Sequence, residues 1–106
     1  MRRLILAAGL LASISTSAFA DRIDGGWCNE DGSKRLHISG SQIELPSGRT
    51  ITGNYGRHAF SYEGPAGDPE EGQSIEMRQL SEEEMILYRS TNPGKSENWT
   101  RCQAIS

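Results

Sequence analysis

The chain has 106 residues, with 11 basic against 14 acidic side chains, a formal net charge of −3 and two cysteines. That length holds one small domain. The acidic balance argues against nucleic acid and anionic membrane surfaces, both of which select basic patches.

Arg2 and Arg3 precede a short apolar run, Leu4 to Ala12, and a small polar stretch, Ser13 to Ser17. Ala18-Phe19-Ala20 then completes the small-x-small pattern of a cleaved export signal, with Asp21 as the new N-terminus. The apolar run is too short to span a bilayer and no stop-transfer segment follows it. The expectation is a signal peptide over 1–20 and a single β domain over 21–106, soluble in a bacterial periplasm with no membrane anchor. Without residues 1–20 the chain falls to 86 residues. Loss of Arg2 and Arg3 leaves nine basic side chains against 14 acidic ones, a net charge of −5. Such a surface suits a basic partner, although solubility alone also accounts for it.

A domain this small buries only about 60–65% of its unfolded surface and needs a staple. Cys28 and Cys102 sit at opposite ends of the exported part. In an oxidising compartment they are expected to join. A loop of about 75 residues closed this way is worth roughly 4–4.5 kcal/mol in the chain-entropy account. A redox or metal-binding role for the pair is less favoured, because no C-x-x-C motif and no third ligand accompany them.

Glycine is frequent and apolar residues alternate with polar ones over short stretches, the pattern of antiparallel strands with one buried face. Gly25-Gly26-Trp27-Cys28 reads as a first strand, ended by the turn cluster Asn29 to Gly32. Lys34 to Ile38 puts Leu36 and Ile38 on one face, and Ser41 to Leu45 does the same with Ile43 and Leu45. Pro46-Ser47-Gly48 breaks that strand. Arg49 to Gly53 and Arg57 to Tyr62 flank a turn at Asn54-Tyr55-Gly56, with His58, Phe60 and Tyr62 in phase. Glu63 to Gly72, with two prolines, three glycines and four acids, reads as an exposed loop. Gln73 to Leu80 is a strand, and Ser81 to Glu84 a turn rather than a helix start. Met85 to Arg89 is apolar on both faces and reads as a central strand covered on both sides. Glu97 to Gln103 is the last strand, with Trp99 and Arg101 on one face. Seven to eight short strands of this kind predict an all-β chain, a small antiparallel barrel or curled sheet closed by one disulfide.

Catalytic patterns are poorly represented. His37 and His58 both fall in strand patterns, and no Gly-x-Ser-x-Gly elbow accompanies them. Two isolated histidines do not make a zinc site, and no glycine-rich phosphate loop precedes a helix. No metal, no cofactor and no catalytic set is therefore expected, and the chain reads as a binding protein rather than an enzyme.

Two resemblances refine this. Gly25-x-Trp27 near the start, with Arg101 near the end, is similar to the calycin (lipocalin-like) barrels, in which an arginine of the last strand lies over a first-strand indole and seals one end. The size, the export signal, the barrel pattern and Ser47-Gly48-Arg49 resemble the small periplasmic inhibitors of C-type lysozyme. The chain departs from that family where Thr50 and Ile51 stand in place of its usual tyrosine. Tyr62-Glu63-Gly64, the nearest match to its second segment, lacks the lysine. The resemblance implies a protein partner, a basic peptidoglycan hydrolase whose cleft carboxylates meet Ser47 and Arg49. Tyr55, His58 and Tyr62 would be flanking contacts, and Asp68, Glu70 and Glu71 would touch the rim. The calycin likeness implies an alternative, a binder of an apolar ligand or envelope component. A third is a non-inhibitory accessory of an envelope complex.

Overall fold

The computed structural model describes residues 22–102, so the export signal expected over 1–20 lies outside the described residues. It contains nine strands and, among those residues, no helix. They are β1 (Gly25–Cys28), β2 (Arg35–Ser39), β3 (Gln42–Glu44), β4 (Thr50–Thr52), β5 (Asn54–Gly56), β6 (Ala59–Glu63), β7 (Ser74–Gln79), β8 (Glu84–Arg89) and β9 (Ser96–Arg101). All neighbours are antiparallel, in the order β4-β3-β2-β1-β9-β8-β7-β6-β5.

The two outermost strands, β4 and β5, are consecutive in the chain with only Gly53 between them. They are the two halves of one bent strand. The first half pairs β3 and the second pairs β6, which curls the sheet into a nearly closed barrel. Counted as one, they give eight staves, within the seven to eight predicted. Asn54-Tyr55-Gly56 is therefore a strand, not the turn its composition suggested, and the reversal falls at Arg57-His58. Gly53 sits where the bent strand meets β6. A Cβ there would lie 2.5 Å from Phe60 Cε1 and 2.6 Å from the Ser61 carbonyl oxygen, so only glycine lets the two strands meet.

The alternation seen in the sequence sorts the two faces. Leu36, Ile38, Ile43, Leu45, Phe60, Tyr62, Ile75, Met77, Met85 and Leu87 point inward and are at most 5% exposed, with Trp27 and Trp99 fully buried between them. β8 is central, between β7 and β9, but it is covered on one face only. Ile86 is half-buried and Tyr88 is exposed on the outside, so the expectation of a strand covered on both sides is corrected.

The Cys28–Cys102 disulfide is present, with Cα atoms 5.1 Å apart. It reinforces the β1–β9 ladder, which has two registered pairs, the fewest of any neighbouring strands. One barrel end is sealed just inside this pair. Ile23 is fully buried there, and its carbonyl accepts the Trp27 indole N–H at 2.8 Å. The Arg101 guanidinium lies 4.1 Å from the Trp27 ring centroid and donates to the Asp24, Arg22 and Glu82 carbonyls. Arg101 thus covers the Trp27 ring as a cation–π contact.

Candidate functional site

The opposite barrel end is built from the β3–β4 turn and the β6–β7 loop. Pro46–Gly48 reverses the chain tightly. The Leu45 amide donates to the Arg49 carbonyl at 2.7 Å, and the Gly48 amide to the Leu45 carbonyl at 2.8 Å. Ser47 and Arg49 are both exposed at the tip, and both reach across to the loop. The Ser47 hydroxyl donates to Asp68 Oδ1 at 2.5 Å, and Arg49 Nη1 donates to the Ala66 carbonyl at 2.8 Å. These contacts span the opening left between β4 and β6.

The loop over 64–73 is exposed along much of its length, as its composition suggests, but Gly64, Asp68 and Glu70 are buried in it. It folds on itself through amide bonds from Gly64 to the Gln73 carbonyl, Glu71 to Asp68, Gly72 to Gly64 and Gln73 to Glu70. Gly64 packs so closely on this coil that an added Cβ would stand 1.7 Å from the Glu70 carbonyl oxygen. Asp68 is 7% exposed and Glu70 9%. The expected rim contacts from these two acids are therefore corrected, since both carboxylates turn into the protein.

Asp68 sits shallowly under its own loop. The Ser47 hydroxyl and then the Glu70 amide, at 3.0 Å, hold its carboxyl below the usual range, helped by the Arg49 charge. Glu70 reaches further in. Its Oε1 accepts the Tyr62 hydroxyl at 2.6 Å and its Oε2 accepts Arg89 Nη1 at 2.8 Å. Arg89 also donates through Nε to Glu97 Oε2 at 2.6 Å, and Glu97 Oε1 accepts the Trp99 indole N–H at 3.0 Å. Burial opposes the charge on Arg89, but the bonds and charges of Glu97 and Glu70 outweigh it and raise its pKa. Burial also pushes Glu97 up, and the bonds from Arg89 and Trp99 outweigh that, so its carboxyl stays below the usual range. Burial and then the bond to Glu70 push the Tyr62 phenol far up. The result is a layer of satisfied charge across one end of an otherwise apolar interior.

The five residues expected to meet a partner do not form one surface. Ser47 and Arg49 share the turn. Tyr62 alternates inward with Phe60, is 5% exposed and has no surface to present. Tyr55 lies toward the other rim, on the bent strand leading away from the turn. Its hydroxyl donates to Asp24 Oδ1 at 2.5 Å, and that bond, with burial, raises its pKa. His58 is out of phase with the inward residues, in the β5–β6 turn at the same rim, beside an open hollow with Gln79, Leu80 and Glu82.

Glu70, Arg89 and Glu97 form a layer that the sequence reading missed. A signal was available. Arg89 continues the inward phase of Met85 and Leu87, and Glu97 that of Trp99, so each places a charge on an apolar strand face. Among the described residues no group of three His, Cys, Asp or Glu is arranged to hold a metal ion. Compared with protein-family models, curated proteins and solved structures, the chain matches none.

Proposed function

We propose that the chain is a periplasmic inhibitor of a peptidoglycan hydrolase of the muramidase type, blocking the active-site cleft through the 46–49 turn. The observation that carries this reading is the bracing of that turn. Its exposed tip is tied to the 64–73 loop by two side-chain bonds, so little conformational freedom remains to be lost on binding. The acidic chain would be drawn to a basic enzyme.

The bonding at the tip refines the roles. A hydroxyl has one hydrogen, and Ser47 gives its own to Asp68, so Ser47 faces a partner as an acceptor. Arg49 uses one N–H on Ala66 out of five, and is the group left to meet a cleft carboxylate. The apolar-ligand reading draws no support from an interior filled by Trp27, Trp99, Phe60 and the strand aliphatics.

The test is turbidimetric lysis of cell walls by a C-type lysozyme, and by a periplasmic muramidase, with and without the oxidised protein. Inhibition that saturates near one-to-one and weakens about ten-fold or more in Arg49→Ala is the expected result. Full inhibition by Arg49→Ala would refute the cleft-blocking role of the turn. No inhibition of either enzyme would refute the reading altogether.

A further inference from the structure

A chain of bonds runs from the barrel interior to the exposed turn. Arg89 holds Glu70, the Glu70 amide holds Asp68, and Asp68 holds Ser47. No backbone ladder joins β4 to β6, so the turn is fixed across that gap only through the loop. The loop in turn is anchored to Arg89 by the Glu70 carboxylate, with Gln73 Oε1 accepting the same Nη1 more weakly at 3.3 Å.

We propose that the 64–73 loop is an acid-released strap, which fixes the 46–49 turn at neutral pH and lets it go in acid, while the barrel stays folded. The influence of this strap on inhibition rests on the function proposed above; the strap itself does not.

Every charged group around the anchor favours this behaviour. Glu70 faces Tyr62 from β6 and Arg89 from β8, with Glu97 from β9 on the far side of that guanidinium. Asp68 faces Ser47 and Arg49 from the turn, and Lys34 adds a positive charge toward Glu97. With the carboxylates ionised, Arg89 is matched by two negative charges. Once Glu97 protonates, Arg89 is a half-buried cation that has lost one of its two counter-charges, which weakens its hold on the loop. Asp68 and Glu97 are both held below the usual carboxylate range. A lowered pKa gives stabilisation that is complete above the ordinary value, about 4, and lost as pH falls through the folded value. Release therefore belongs to pH below about 4. The disulfide and the inward-facing apolar side chains of the staves do not titrate there, so they hold the barrel while Glu97 on β9 and Asp24 at the sealed end, also held below the usual range, lose their charges.

The test is amide hydrogen exchange by NMR on the oxidised protein, read as protection factors at about pH 6.5 and about pH 2.5. The loop amides of Gly64, Glu71 and Gln73 and the turn amides of Leu45 and Gly48 are expected to lose protection about ten-fold or more at the lower pH. Those of the β7–β8 ladder should hold within about three-fold. Glu70→Gln should produce the same loss at the higher pH. Asp68→Asn should loosen the turn while the loop stays protected. Loop and ladder protection falling together, or a turn left fully protected in Asp68→Asn, would overturn the strap. If Glu70→Gln does not fold, the wild-type comparison and Asp68→Asn still decide. A protein that shows this exchange pattern yet inhibits no muramidase would keep the strap and lose the functional reading.

Discussion

Replacing Arg89 by methionine tests the charged layer most directly. The side chain is 13% exposed and its two carboxylate partners are unequal, Glu70 at 11% and Glu97 at 39%. Methionine fills much of the same volume without charge, so packing is largely kept. Breaking a buried pair from one side typically costs about 3–5 kcal/mol, because the remaining charge is stranded. Glu70 meets that description. Glu97 has water at hand and retains the Trp99 indole bond, so its share is that of a surface pair, about 0–1 kcal/mol. Taking the lower end for Glu70, which keeps the Tyr62 hydroxyl, gives a total of about 3 kcal/mol. With a urea slope of about 1–3 kcal/mol/M, the midpoint should fall by roughly 1–3 M. Urea unfolding at pH 7, followed by tryptophan fluorescence and by circular dichroism, measures it. The reasoning also requires Arg89→Met with Glu70→Leu to recover most of the loss, since no charge is then left buried. A single variant within about 1 kcal/mol of wild type would refute this account of the layer, as would a double variant no better than the single.

Gly64→Ala should unseat the strap rather than shift it, because the added methyl meets the Glu70 backbone and not a flexible side chain. Urea unfolding should show a loss of about 2 kcal/mol or more. Amide exchange should quicken most at Glu71 and Gln73, inside the loop. Arg101→Ala removes a cation–π contact and bonds to three carbonyls at the sealed end. It should cost about 2–3 kcal/mol, a fall of roughly 10–20 °C in the calorimetric Tm for a domain of this size.

The strands were legible where one face is apolar. Leu36 with Ile38, Ile43 with Leu45 and Ile75 with Met77 each announce an inward side two residues apart, and tertiary packing had only to agree. Asn54-Tyr55-Gly56 misled because asparagine and glycine favour turns locally, whereas the bend is made one residue earlier, where Gly53 passes against Phe60 and Ser61. The 63–72 segment is the irregular and largely exposed stretch expected, but Asp68 and Glu70 in it turn inward. Prolines, glycines and acids describe a segment without regular structure, but they do not say whether it lies over solvent or over a buried arginine. That depended on Arg89, 19 residues from Glu70, pointing inward. The turn itself was readable from Pro46-Ser47-Gly48. Its partner Asp68 was not, since 21 residues and the whole of β4, β5 and β6 separate Ser47 from it.

The position of the disulfide decides how the molecule answers to tension. Cys28 and Cys102 lie close to the two ends of the described chain, 74 residues apart in sequence. A pull applied to both termini is carried by the covalent bond between them, and the backbone from 29 to 101 is bypassed. Among the described residues only those ahead of Cys28 can be drawn out, and with them Ile23 would leave the sealed end. Between the two cysteines the oxidised protein should behave as a nearly inextensible link, and a reductant would turn it into one that lengthens by the whole barrel.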